Sequence, residues 1–316
     1  MEDPRKEILR RVITFLRGRG FAVSDPELGG LVAFDIVARR EDERYILKIL
    51  FNIDTFRASS AIELIRVSKI TESVPVVLGE RTGNGPLERG VVYYRHTLPI
   101  MNLDTFQDYV DGERPYIFSG PGGYYVSIDG QRMKEVRERL RYSIGYISNK
   151  IGVSRRSVSL YENGNAATIE IFRKIEEVLK EDLKRRIDLR EAMEGVSIPD
   201  PEAPEDELVG EVIEILSMMG LHSEVVKRSP FDAISLETYS RMLFLGVVED
   251  MSRAARAAAI KSICDVLLQT PLVVSERDTD KETIGGCPVI PVGLLRATRD
   301  QDDLIRTIEK RAAGHS

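Results

Sequence analysis

The chain has 316 residues, 42% hydrophobic and 30% charged, with a formal net charge of −6, a composition that predicts two or three soluble globular domains. No apolar run reaches the length of a membrane span, and the charged opening MEDPRKEILRR lacks the apolar stretch of a secretion signal, so a cytoplasmic protein without membrane contact is expected. Two cysteines and three scattered histidines provide no disulfide framework and no four-ligand metal site, and no cofactor is expected.

Residues 1–112 read as mixed α/β. Ile8, Val12, Ile13, Phe15 and Leu16 recur at helical spacing and predict a helix near 5–18, ended by Gly20. LVAFDIVA (31–38) and RYILKILF (44–51) predict two strands joined by a polar turn. A helix near 55–72, strands over 74–80 and 91–94, and a short helix over 102–110 follow. Residues 115–128 predict a β-hairpin, with Gly120, Pro121, Gly122 and Gly123 at its turn. Its Tyr116, Phe118, Tyr124 and Tyr125 are expected to pack, a docking element or wing being the alternative. Residues 131–190 are predicted helical almost throughout. Three prolines among acids in GVSIPDPEAPED (195–206) predict a linker. Residues 207–312 return to α/β, where Cys264 is expected to pack as a small hydrophobe.

The last segment echoes the first. Phe34-Asp35 matches Phe231-Asp232, Arg44 matches Arg241, and Arg57-Ala58 matches Arg253-Ala254. VPVVLGER (74–81) matches TPLVVSER (270–277), and Gly20 matches Gly220. Order and spacing agree, which predicts an internal duplication. The expected boundaries are 1–112, a hairpin connector at 113–130, a helical domain at 131–193, a linker at 194–206 and a second α/β copy at 207–316.

Charge is uneven. Residues 131–190 hold 15 Lys and Arg against 9 Asp and Glu, a net of +6, while the remainder holds 30 against 42, a net of −12. A duplex is expected to dock on the basic middle, because DNA affinity needs local positive charge.

RYSIGYISNKIGVSRRSVSLYENG (141–164) carries the signals of two short helices. Ser143 is a suitable N-cap before Ile144, Ile147 and Ile151. Gly152 stands where a left-handed residue ends a helix. Ser154 is a second N-cap, opening a helix over 155–162 with Val158 inward, and Asn163-Gly164 ends it. Two short helices joined by a three-residue turn with Gly make a helix-turn-helix. Ser148 is small where the helices approach, and a helix over 168–180 closes the core with Ile171, Phe172, Ile175, Val178 and Leu179.

The pattern S-x(4)-S-x(3)-GVS-x(3)-V-S-x-YE-x-G resembles the lambda Cro/repressor family over about residues 131–180. Ile144 departs from it, standing where the family usually has a Gln that fixes the phosphate backbone. The resemblance implies that the start of the second helix, here Arg155, Arg156, Ser157, Ser159 and Leu160, enters the major groove. Arg155 and Arg156 are the base-reading candidates, since arginine bonds a guanine edge twice. Ser143, Lys150, Ser154, Tyr161 and Asn163 are the phosphate candidates.

The pattern from Glu7 through Asp35 to Lys48 resembles the restriction-endonuclease-like superfamily, which includes archaeal Holliday junction resolvases. The resemblance implies carboxylates holding a divalent metal that activates water, with the Lys beside it. The acid expected two residues before Lys48 is Ile46, and the second copy keeps Asp232 with Leu245 expected at the Lys position. Glu7, Asp35 and Lys48 are therefore read as vestigial and the protein as no enzyme. The alternative is a metal-dependent endonuclease or resolvase-like enzyme targeted by the helix-turn-helix.

The fold class expected is α/β plus all-α: two related nuclease-like α/β domains flanking a lambda-repressor-like helical domain. The combination resembles archaeal Cro/C1-type (XRE-like) regulators with α/β flanks. It implies transcriptional control of unknown targets. Double-stranded DNA is the expected partner; helix-turn-helix proteins usually act as dimers on paired half-sites, so a homodimer is expected, with the Leu183–Ile187 extension as a candidate pairing segment, and the α/β fold leaves room for an unknown effector. A non-specific architectural protein is the third reading, distinguished by equal affinity for all duplexes.

Overall fold

The computed structural model describes residues 3–26, 32–236, 241–249 and 253–313. Contacts divide the chain into two compact units. The first holds residues 1–49, 56–76 and 197–316, and the second holds 50–55 and 77–196.

The first unit opens with α1 (Pro4–Gly18). Asp3 caps it by accepting from Arg5 N at 3.0 Å, Pro4 needs no hydrogen bond there, and Ile8, Leu9, Val12 and Leu16 form the buried stripe. β1 (Ala22–Val23) pairs antiparallel with β2 (Ile36–Arg40), and β2 with β3 (Glu43–Asn52), Ile36 opposite Leu47. The strand expected over 31–38 thus begins later, and residue 31 lies outside the described residues. α2 (Ala58–Ile70) and β4 (Val74–Thr82) follow.

In the second unit β5 (Gly85–Pro86) pairs with the end of β4. β6 (Val91–Arg95) lies antiparallel to β7 (Leu98–Met101), and α3 (Leu103–Val110) follows. β8 (Ile117–Gly120) runs parallel to β6 and makes a hairpin with β9 (Gly123–Val126). Phe118 stacks on Tyr125 with ring centroids 5.9 Å apart, and the Tyr93 and Tyr124 hydroxyls meet at 3.2 Å. The helices are α4 (Gly130–Arg139), α5 (Ile144–Ile151), α6 (Arg155–Glu162) and α7 (Ile169–Leu179). Between the last two, β10 (Ala167–Thr168) pairs with β9, so the hairpin is bonded to the helical part. Met133, Val136, Ile147, Ile151, Val158, Phe172, Ile175 and Leu179 form one buried core.

Helix does not persist to residue 190. Lys180 turns left-handed at φ 55°, and the chain then runs back along the hairpin. Asp129 N donates to Leu183 O, Arg185 N to Ser127 O and Ile187 N to Pro115 O. Leu183 is fully buried in the helical core and Ile187 is buried too. The segment expected to pair with a second chain is therefore consumed by its own unit, because its apolar side chains reach a nearer core.

The first unit resumes with α8 (Glu207–Met218), β11 (His222–Val225), β12 (Ala233–Leu236), β13 (Met242–Val248), α9 (Ala254–Leu267) and β14 (Thr270–Ser275). This is the order α1-β1-β2-β3-α2-β4 again. β15 (Thr283–Ile284), β16 (Cys287–Pro291), α10 (Val292–Ala297) and α11 (Gln301–Ala313) complete it. β14 runs parallel to both β13 and β16. Cys264 packs fully buried as a hydrophobe, and burial raises its thiol pKa.

Equivalent parts of the two α/β segments meet reciprocally. Asp25 N donates to Ser262 Oγ on α9 at 2.7 Å, and Lys227 N to Glu63 Oε2 on α2 at 2.8 Å. Phe34 faces its counterpart Phe231 with ring centroids 6.2 Å apart. Two surfaces that exchange like contacts in this way follow the logic of a twofold interface.

Candidate nucleic-acid interface

Each short helix of the interface is fixed at its ends by the sequence. Ser143 Oγ accepts from Tyr146 N at 3.0 Å and opens α5. Gly152 ends it at φ 75°, a conformation that penalises any side chain with a Cβ. Gly152 N and Val153 N both donate to Ser148 O. Ser148 is buried against the turn. Ser154 Oγ accepts from Ser157 N at 3.0 Å and opens α6, with Val158 fully buried beneath it. The second helix is thus held by its cap at one end and by its core residue in the middle.

Arg155, Arg156 and Leu160 are exposed on α6. Gly145 leaves room for the Arg155 guanidinium, which would lie 3.1–3.3 Å from a Cβ at that position. Ser159 Oγ donates to Arg155 O, and Ser154 and Ser157 share a hydroxyl contact of 2.9 Å. Lys150 Nζ lies 5.7 Å from the centre of the exposed Tyr146 ring. Tyr161 is half-buried against the core, and burial raises its phenol pKa. Asn163 closes α6 with its backbone N–H and keeps its side chain exposed.

Charge in this unit is sorted by position. Arg132 and Arg139 both bind Glu181, Lys174 binds Glu170, and Lys184 binds Glu176 and Asp182. Lys150, Arg155 and Arg156 have no ion pair among the described residues. The cations left uncompensated include those at the start of α6 and the end of α5, where an anionic backbone would meet them without first displacing a protein carboxylate.

A second constellation sits in the α/β part. Asp35 has a fully buried side chain. Its Oδ1 accepts from the guanidinium of Arg5 on α1 and from Lys48 Nζ at 3.2 Å, and its Oδ2 accepts from Ile49 N at 2.6 Å. Lys48 also donates to Val32 O, and burial lowers its pKa while Asp35 opposes the shift. Glu7, two residues beyond Arg5 on the helix, is exposed and pairs with Arg10 at 2.9 Å. The structure therefore brings Asp35 and Lys48 together and leaves Glu7 apart from them. In the second segment Asp232 accepts from Arg256 of α9 at 2.6 Å and from Val247 N at 2.8 Å. Asp35 N bonds Leu47 O and Asp232 N bonds Leu245 O, so Gly246, rather than the expected Leu245, corresponds to Lys48.

Residues 133–185 match the helix-turn-helix family, and residues 5–115 match a PD-(D/E)XK superfamily domain. A Picrophilus torridus protein named as an HTH-type transcriptional regulatory protein is 44% identical over 309 residues, 98% of each chain. One of the same name from Thermoplasma volcanium is 44% identical over 312 residues, 99% of this chain and all of the relative. Another, from Methanocaldococcus jannaschii, is 33% identical over 96% of each chain. The chain belongs to this family of archaeal HTH-type transcriptional regulatory proteins. The expected mixed fold, a nuclease-like α/β part joined to a Cro-type helix-turn-helix, is what the regulator has. No helix among the described residues is long and apolar enough to cross a membrane.

One structural pair of the regulator escaped sequence reasoning. Arg137 of α4 binds Glu162 at the end of α6 through Nε and Nη2 and also donates to Tyr142 O at 3.1 Å. Both side chains are at most 10% exposed, so the pair ties α6 to the helix behind it. The partners are 25 residues apart, and the Tyr-Glu ending of the motif was the available signal.

Proposed function

We propose that this regulator reads duplex DNA with the first turns of α6 in the major groove. Arg155 and Arg156 face base edges, with Ser157, Ser159 and Leu160 beside them. Ser143, Lys150, Ser154, Tyr161 and Asn163 hold phosphates and set the register. The capping oxygen of Ser143 is engaged as an acceptor from Tyr146 N, which leaves its hydroxyl hydrogen to donate, while the Ser154 hydroxyl is shared with that of Ser157. The carrying observation is the pair of exposed arginines that have no carboxylate partner among the described residues, at the capped start of α6. Arg156→Ala is expected to cost about 1–3 kcal/mol of discrimination at one base pair. Competition binding with single-base variants of a selected site checks this, and unchanged discrimination removes Arg156 from the base-reading set.

The α/β segments are proposed to do no nuclease chemistry. Asp35 already receives two cations and a backbone N–H, and Asp232 one cation and a backbone N–H, so a magnesium ion would have to displace a guanidinium in either place. The segments are read as products of an internal duplication, supported by their shared element order and reciprocal contacts. The regulator is further read as a homodimer on paired half-sites, as helix-turn-helix domains commonly bind. The division into an α/β domain, hairpin, helical domain, linker and second α/β domain is the functional partition that goes with this reading.

A further inference from the structure

Helix α6 turns Val158 inward, where it is fully buried. Successive residues of a helix are about 100° apart, so Arg156 and Leu160 fall about 160° from Val158 on either side and about 40° from each other, on the side facing away from the core. Ser157 and Ser159 take the two flanks. Arg155 falls only about 60° from Val158, and its guanidinium lies against Gly145 of α5. The one acid on α6, Glu162, is held inward by Arg137. The outermost ridge of the helix is therefore one arginine and one leucine, a turn apart.

Leu160 is 41% exposed and is not one of the side chains that pack against the core under α6. Its backbone is fixed all the same, because its carbonyl accepts from Asn163 N at 3.1 Å and from Asn165 N at 3.0 Å. A leucine exposed alone on a surface is ordinary. This one stands in the middle of the surface that the DNA-reading proposal lays against bases, so a docked duplex covers it. Every base presents hydrogen-bonding atoms at its major-groove edge, and one apolar group occurs there, the 5-methyl of thymine. A donor or acceptor pressed against leucine loses its water and gains no partner, whereas the methyl gains an apolar contact.

We propose that Leu160 is a specificity-determining residue that selects thymine through its 5-methyl group, one or two base pairs from the guanine read by Arg156. Four residues of helix advance about 6 Å, against about 3.4 Å per base pair, which sets that spacing. The assignment rests on the DNA-reading proposal and adds to it the base that the apolar position takes. Helix α6 then reads one G·C pair by hydrogen bonds and a nearby T·A pair by apolar contact.

The full-length chain is used to select duplexes from a random pool, and each thymine of the recovered site is then replaced singly by deoxyuridine, which removes the methyl and leaves the pairing intact. Affinities are measured by competition at one salt concentration for wild type, Leu160→Ala, Leu160→Met and Arg156→Ala. One thymine, within two base pairs of the guanine whose discrimination Arg156→Ala relaxes, is expected to be sensitive. Its replacement weakens wild-type binding about fourfold, the effect of one buried methyl. Leu160→Met keeps that sensitivity, and Leu160→Ala binds the thymine and deoxyuridine duplexes equally. Because Leu160 lies outside the core, Leu160→Ala is expected to melt with wild type, so lost sensitivity is not lost fold. Wild-type indifference to every thymine methyl, or sensitivity that survives in Leu160→Ala, overturns the assignment and leaves Arg156 a base reader. Equal affinity for all duplexes overturns the DNA-reading proposal itself, and this assignment with it.

Discussion

Asp35 shows how one carboxylate changes meaning with its neighbours. Its aspartate and the lysine of β3 were legible as nuclease positions, but the decisive residue was not. Arg5 lies 30 positions away and reaches Asp35 only because α1 packs across the strands. No local pattern marks that contact, whereas Glu7 matched the pattern and lies apart from the site. Removing the carboxylate leaves two cations facing a buried space. Asp35→Ala is therefore expected to cost about 3–5 kcal/mol of stability, read by denaturant unfolding. Lys48→Met should cost much less, since Asp35 keeps Arg5 and Ile49 N. Equal losses from the two substitutions contradict this ordering.

Among the elements, α5 and α6 were the most legible. Their caps and turn depend on residues three or four apart, so Ser143, Gly152 and Ser154 carry their own evidence in sequence. Gly152→Ala places a Cβ in a left-handed backbone and is expected to cost about 1–2 kcal/mol. A thermal melt of the variant checks it, and an unchanged melting temperature contradicts the assigned turn. What sequence missed were elements defined by distant partners. β10 has two residues and exists because β9 is beside it. Leu183 reads as the tail of a helix and instead fills the helical core from an extended chain. The Arg137–Glu162 pair has the same long-range character. Glu162→Ala should destabilise the helical part by about 3–5 kcal/mol and weaken DNA binding through a displaced α6. Full stability in that variant contradicts the bracing role.

Across the whole molecule, the proposed duplication was legible as a recurring order of residues, but the correspondence between the two segments along their strands was not. The hydrogen bonds of Asp35 N to Leu47 O and of Asp232 N to Leu245 O put the correspondence on β13 one position beyond the one expected from sequence. The consequence is physical: Gly246 cannot supply the cation that Lys48 supplies, and Arg256 reaches Asp232 from a different helix. Each α/β segment thus neutralises its carboxylate with an arginine from its own packing, while Arg155 and Arg156 on α6 have no ion pair among the described residues. We propose that the second feature makes the molecule a sequence-reading regulator and that the first excludes nuclease chemistry. The most direct test is selection of bound duplexes from a random DNA pool with magnesium present and cleavage monitored. A recurring motif with every duplex intact is the expected result. Cleavage that Asp35→Ala abolishes, or binding with no sequence preference, contradicts it.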